Sequence, residues 1–198
     1  SGTRGAISQI YVYDRQSQRV SRVSISSEGT PANGHCQRPS IDGTGRIIVF
    51  ESMASNLDAD YSIQLEGQLS NQVFLHNRDI NGSTAFTTNY DTYLVSELDA
   101  NVFNSDAENP KVSLDGDVVA FVSDVTNLST IATNGFSQIW MRDIDIVTGV
   151  PSGAVSLVSL NTLGTAAGNG DSDQPAITGG KNTPDYGLQI AFSSTADQ

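Results

Sequence analysis

The feature that most constrains the fold of this chain is a threefold internal repeat. Each copy opens with a glutamine and an apolar run, at residues 9–12, 72–75 and 138–141. Each then contains a seven-residue loop from asparagine to proline, at residues 33–39, 104–110 and 169–175. A phenylalanine recurs at intervals of 71 residues, as Phe50, Phe121 and Phe192. We therefore expect residues 1–198 to form a single structural segment. Its repeats lie at approximately 9–60, 71–130 and 137–198.

The residues of each repeat predict four short antiparallel strands. Proline leads into the first strand, where a missing backbone amide costs little. Asp42-Gly43 and Asp115-Gly116 favour a tight turn after it, although the third copy carries an insertion at 179–186 instead. The strands after these turns are apolar at successive positions, which predicts burial on both faces. Fourth strands are expected at 20–25, 93–96 and 155–160. Four-stranded sheets stacked face to face predict an all-β fold, specifically the blades of a β-propeller.

Two longer motifs carry a resemblance to a known family. Residues 39–52 and 110–123 each combine proline, a short strand, Asp-Gly and a strand with Phe-x-Ser, and the run 138–143 ends in aspartate. In this combination the chain resembles the TolB-like propeller repeat, which implies four-stranded blades. The spacing of 65 to 71 residues departs from the roughly 40 to 50 residues typical of propeller repeats.

The order of the strands predicts incomplete blades at both ends. The chain starts with two outer strands, continues through two complete blades and closes with two inner strands. These parts amount to three blades, whereas propellers have about four to eight. Either the chain belongs to a longer propeller with additional blades, or two copies form a homodimer that closes a six-bladed ring.

Charge and cysteine content exclude several classes of partner and site. The formal charge of −12 disfavours nucleic acid and anionic membrane surfaces. No apolar run is long enough to insert into a membrane, and no signal peptide is recognisable at the N-terminus. Cys36 is the single cysteine, which excludes an internal disulfide and a cysteine-based zinc cluster. The low lysine content and the acidic, Asn/Ser/Thr-rich composition favour a bacterial secreted, periplasmic or cell-envelope protein.

The candidate catalytic residues are few. No Gly-x-Ser-x-Gly motif occurs, and His35 and His76 are the two histidines that could act as a base. His76 occupies the repeat position of Tyr13 and Arg142, which predicts a strand side chain. Cys36 corresponds to small residues in the other copies and is expected to fill a small slot. We therefore expect a non-catalytic protein. The alternative is part of a polysaccharide lyase or hydrolase whose catalytic groups lie outside this chain.

Four acidic residues are the candidate cation ligands. Asp106, Glu108, Asp171 and Asp173 precede or open the inner strands of two copies, so we expect them to meet near one end of the repeats. Carboxylates are the ligands that calcium prefers, but no EF-hand spacing occurs. We therefore expect no required cofactor, with calcium as the candidate cation.

The remaining candidate site consists of aromatic residues in loops. Insertions at 53–70, 80–105 and 144–153 are expected to form the binding surface. Four aromatic side chains outside the predicted strands are the candidate contacts, namely Tyr61, Phe103, Phe136 and Tyr186. The sequence thus predicts a binding or scaffold module for a protein or glycan partner.

Overall fold

The computed structural model describes residues 6–59, 70–80, 89–96, 106–126, 128–133, 135–181 and 187–197, and these form twelve β-strands. The strands are β1 (Tyr11–Asp14), β2 (Arg19–Arg22), β3 (Cys36–Ile41), β4 (Ile47–Ser52), β5 (Gln72–Asn77), β6 (Asp91–Leu94), β7 (Ala107–Val112), β8 (Val118–Ser123), β9 (Gln138–Ile144), β10 (Pro151–Leu157), β11 (Ser172–Thr178) and β12 (Gln189–Ser194). The prediction of an all-β protein is confirmed.

The strands form antiparallel sheets in chain order. Within the described residues, sheet 1 contains β1 and β2, sheet 2 runs from β3 to β6, sheet 3 from β7 to β10, and sheet 4 contains β11 and β12. Each strand pairs with its sequence neighbour in the same sheet. The sheets therefore have two, four, four and two strands, the order that the repeat predicts.

Equivalent residues pair in the same register in the two complete sheets. Phe50 of β4 lies opposite Phe74 of β5, and Phe121 of β8 lies opposite Trp140 of β9. The fourth strands begin and end earlier than predicted. The residue directly after each strand donates its amide to the carbonyl of the residue that follows the repeated glutamine.

The first strand of sheets 2, 3 and 4 contains the same bulge. Its register shifts in each case at the residue before proline. That residue has a left-handed backbone, with φ of 51° at Arg38, 51° at Asn109 and 56° at Gln174. A bulge leaves a residue outside the ladder and redirects its side chain. The repeat thus places one polar side chain at the same point of three successive strands.

Alternating side chains of β4 enter two separate cores. Ile48 and Phe50 pack with Ile10 and Val23, which directly flank the strands of sheet 1. Ile47 and Val49 pack with residues of sheet 3, among them Phe121 and Trp140. Burial on both faces explains the uninterrupted apolar sequence of this strand.

The first strands of successive sheets contact one another, and so do the turns that follow them. Strand β7 contacts both β3 and β11. The Gly43 amide donates to the Leu114 carbonyl at 2.7 Å, and the Leu114 amide donates to the Gly179 carbonyl at 2.8 Å. A Cβ at Gly43 would lie 2.8 Å from the Leu114 oxygen, so this approach requires glycine. The turns thereby link sheets 2, 3 and 4 at one end.

The outer face of sheet 1 is more exposed than the equivalent faces of sheets 2 and 3. Phe74 and Trp140 are fully buried, whereas the equivalent Tyr11 is 52% exposed. The reason is that no described residues form a sheet over this face. No helix in the described residues has the length and apolar character needed to cross a membrane.

Candidate functional site

A hydrogen-bonded glutamine and serine pair anchors the third strand in every repeat. The pairs are Gln9 with Ser24, Gln72 with Ser96, and Gln138 with Ser159. In the second copy the Ser96 hydroxyl donates to the Gln72 side-chain oxygen at 2.7 Å and accepts the Val73 amide at 3.0 Å. The same serine acceptor binds the backbone in the other copies. These bonds fix the start of the third strand. The loop that leads to the following sheet passes beside this point.

That loop binds the strand start through a second conserved contact. The Asp106 carboxylate accepts the Asn71 amide at 2.7 Å, and the Asp171 carboxylate accepts the Ser137 amide at 3.0 Å. In the first copy the acceptor of the equivalent Ser8 amide is Nδ1 of His35, at 3.2 Å. Asp106 and Asp171 therefore connect one sheet to the next, and each has a second carboxylate oxygen beyond this contact.

Sheets 3 and 4 border a cleft at this end, which we call the acidic cleft. Its volume is about 360 Å³. Its lining residues are Asp106, Glu108, Asn109, Val122, Ser123, Asp124, Ser137, Asp171 and Asp173. Five of these are carboxylates and none is a lysine or arginine, so the cleft concentrates negative charge.

Side chains from two strand bulges bind carboxylates of the cleft. Arg38 of sheet 2 reaches Glu108 of sheet 3 at 2.7 Å. The Asn109 side-chain amide donates to Asp173 of sheet 4 at 2.8 Å. Each contact joins a left-handed bulge residue to an acid on the next sheet, which orients the carboxylates.

Glu51 stabilises the bulge region from below the surface. Its side chain is fully buried and accepts from Arg38 at 2.9 Å and from the Asn109 backbone amide at 3.0 Å. Charge-assisted bonds of this kind are about twice as strong as neutral ones. Removal of Arg38 would leave a buried carboxylate with one fewer donor, which is strongly destabilising.

The four acids predicted as cation ligands, namely Asp106, Glu108, Asp171 and Asp173, all line the acidic cleft. Within the described residues, however, no three or more His, Cys, Asp or Glu side chains are grouped so that they could hold a metal ion. Calcium binding by these acids remains a prediction.

The predicted aromatic contacts are described only in part. Phe136 is half-buried between β8 and β9, and its amide donates to the Thr133 carbonyl at 3.2 Å. Tyr61, Phe103 and Tyr186 lie outside the described residues, as does most of the predicted insertions at 53–70 and 80–105. The predicted insertion at 144–153 is shorter than expected: a turn of residues 145–150 joins β9 to β10.

His76 and Cys36 occupy buried positions with local partners. Nδ1 of His76 lies 2.8 Å from the Thr92 hydroxyl, which itself donates to the Ile25 carbonyl. Burial, with a contribution from Arg78, lowers the pKa of His76 to about 4. Burial raises the pKa of the Cys36 thiol, whose sulfur lies 3.2 Å from the Ser52 hydroxyl. A protonated thiol is a weak nucleophile.

Two parts of the site were missed at the level of sequence. Asp124 lines the cleft but follows the second strand, outside the loop spacing that identified the other acids. Arg38 and Asn109 lie directly before the repeated prolines, and this position was the available signal.

No protein-family model matches the chain, and none of the curated proteins matches it.

Proposed function

We propose that the chain is a non-catalytic binding module of the β-propeller type, in which the four-stranded sheets act as blades. The contacts of β7 with both β3 and β11 support this arrangement, because the first strands of propeller blades lie side by side around a centre. The linked turns at Gly43, Leu114 and Gly179 and the resemblance to TolB-like repeats support it further.

The acidic cleft carries the proposal about the partner. Five carboxylates line it, of which Glu108 is paired with Arg38, in a chain with a net charge of −12. Charge of one sign in a concave site attracts ligands of the opposite sign. We therefore favour a protein partner that presents a basic segment. A neutral glycan is the alternative occupant.

A secreted or envelope location is part of this proposal. The composition is acidic and poor in lysine, and the single thiol, Cys36, is buried. A protein with these properties keeps its surface free of reactive thiols outside the cell.

Peptide titration tests the proposed partner chemistry. A fluorescent peptide of eight arginines and a neutral oligosaccharide are titrated against the full chain at about 50 and 300 mM salt, since screening weakens binding between exposed charges. We expect the peptide to bind, and the variant Glu108→Gln/Asp124→Asn to weaken that binding by at least about tenfold.

The control variant Asp14→Asn/Asp145→Asn makes the same change in net charge at two exposed turns away from the cleft. It should bind the peptide as the unmodified chain does. Equal weakening by both variants would reduce the effect to net charge and contradict a cleft-specific site. Tighter binding of the oligosaccharide than of the peptide would overturn the choice of a basic protein partner.

A further inference from the structure

The two incomplete sheets contain complementary halves of a four-stranded sheet. Strands β11 and β12 correspond to the first and second strands of sheets 2 and 3, whereas β1 and β2 correspond to the third and fourth. In the described residues, the edge of β12 that faces away from β11 has no paired strand. Edges of this kind expose backbone donors and acceptors and are templates for pairing.

The repeat defines the register in which these halves match. In the complete sheets Phe50 lies opposite Phe74, and Val49 lies opposite Leu75. Transferred by repeat position, the same register places Phe192 of β12 opposite Tyr11 of β1. It also places Ala191 opposite Val12.

The exposed apolar side chains of sheet 1 match this arrangement. One face of sheet 1 carries three exposed apolar or aromatic side chains. They are Tyr11, Tyr13 and Val20, which are 52%, 60% and 64% exposed. The equivalent residues of sheet 2, Phe74 and His76, are buried against sheet 1. Sheet 2 packs the face that contains Phe74 against sheet 1. By analogy, the face of sheet 1 that contains Tyr11 fits against another sheet in the same way.

Sheet 3 presents a surface equivalent to the surface of sheet 1 that sheet 2 contacts. In sheet 1, the segment after β2 bonds to β6 through Thr92, which donates to the Ile25 carbonyl. Ile25 and Leu160 begin equivalent bridged turns, and Leu163 in the second turn is 80% exposed. Val20 of β2 is equivalent to Thr92 of β6. We therefore expect the turn that begins at Leu160 to contact Val20 of a β1–β2 hairpin added beside β12.

We propose that two copies of this chain pair through these halves, with β12 of each copy joined to β1 of the other. The pairing produces two composite four-stranded sheets about a two-fold axis. A second copy is the occupant because this chain carries both halves in one matching register, with apolar side chains exposed on both surfaces. Two copies together would supply six four-stranded sheets, which lies within the four to eight that close a ring. The proposal depends on the stacking of the sheets and not on what the acidic cleft binds.

Cysteine cross-linking tests the register. The variant Val12→Cys/Ala191→Cys is prepared in a Cys36→Ala background, and its oxidation is followed by non-reducing gel and intact mass. Directly opposed Cβ atoms lie about 4.5 to 5.5 Å apart, close enough for a disulfide, while diagonal pairs are about 7 to 8 Å apart. We expect a covalent dimer for this pair. The off-register control Asp14→Cys/Ala191→Cys should form it at least about tenfold more slowly.

Two results of the cross-linking would overturn the proposal. One is equal cross-linking of the matched and off-register pairs. The other is a disulfide confined to single chains, because it would place both halves of the sheet in one molecule.

A charge substitution on the same face provides an independent readout. Tyr11→Asp puts a charge where the partner's sheet should pack, so we expect the dimer dissociation constant to rise by at least about tenfold. Val147→Asp is the control, since Val147 is 77% exposed on the turn that bonds to Arg46 of sheet 2. Circular dichroism verifies that both variants are folded. An unchanged dissociation constant for Tyr11→Asp would contradict the proposal.

Discussion

Ser96 shows how much a single small side chain contributes to the order of this repeat. Its hydroxyl is buried and makes two hydrogen bonds, one to the Val73 amide and one to the Gln72 side chain. Loss of the hydroxyl removes the partner of the buried Val73 amide and one partner of the Gln72 side chain. Serines at the same place in the other two copies have the same role.

We predict that Ser96→Ala lowers the free energy of unfolding by about 1 to 3 kcal/mol. Denaturant melts measure this loss. Ser156→Ala serves as the control because Ser156 is exposed on β10, and its effect should stay within about 0.5 kcal/mol. Equal effects of the two substitutions would show that the glutamine and serine pair does not anchor the strand.

His76 gives the stability of the protein a specific dependence on pH. Its pKa in the folded chain is about 4, below the ordinary value of 6.5. The folded state therefore binds its proton less readily than the unfolded state. The stabilisation is complete above about pH 6.5 and is lost as the pH falls through about 4.

We predict that this histidine accounts for about 3 kcal/mol of the stability lost between pH 7 and pH 4. Melts of the unmodified chain and of His76→Gln at both pH values separate it from the carboxylates, which titrate in both proteins. The difference in unfolding free energy between the two proteins should shrink toward acid pH. Parallel pH profiles would contradict the buried, neutral state of this imidazole.

At the scale of the strand, β8 is the clearest case of burial on both faces. Val119 and Phe121 pack in the core shared with sheet 2, and Val118 and Ala120 on the opposite face are also fully buried. A phenylalanine in such a strand contributes its whole ring to the core, because little local rearrangement can fill the space it leaves.

We predict that Phe121→Ala lowers the free energy of unfolding by about 3 to 5 kcal/mol. The control is Val147→Ala, which truncates a side chain that is 77% exposed. That control should change stability by less than about 0.5 kcal/mol. A loss below about 1 kcal/mol for Phe121→Ala would mean that the repeat is aligned incorrectly.

The turns show which part of the fold could be predicted from local sequence. Asp42-Gly43 and Asp115-Gly116 look equivalent as dipeptides, yet the residue equivalent to Asp42 is Ser113. The Asp42 carbonyl accepts the Gly45 amide, and the Ser113 carbonyl accepts the Gly116 amide. The left-handed glycines are Gly45 and Gly116. Strand order and burial follow from the apolar pattern, whereas the turn position depends on the distance from the proline and on contacts with the next sheet.

The acidic cleft was predictable in part for a similar reason. Asp106, Glu108, Asp171 and Asp173 share positions in the repeated loops, so their proximity follows from the repeat. Asp124 enters the cleft from the end of another strand, and the sequence contains no repeated acid at that place. Side chains that a fold brings together from unrelated positions require the packing of the sheets to be known.

At the scale of the whole molecule, the surface divides into regions of different character. The acidic cleft lies at the end of sheets 3 and 4 where the bulges occur, and the exposed aromatic face lies on sheet 1. A charged concave surface suits a soluble partner, whereas an apolar face beside an unpaired strand suits another sheet. The proposed partner and the proposed second copy therefore use separate parts of the chain.

The mass of the purified chain in solution tests the central claim most directly. Light scattering coupled to gel filtration at micromolar concentration should give about 42 kDa, twice the chain mass of 21.0 kDa. The dimer should persist in high salt, because the proposed contact is apolar and backbone-mediated rather than ionic. A stable, folded monomer of 21.0 kDa at that concentration would contradict the pairing of β12 with β1 of a second copy.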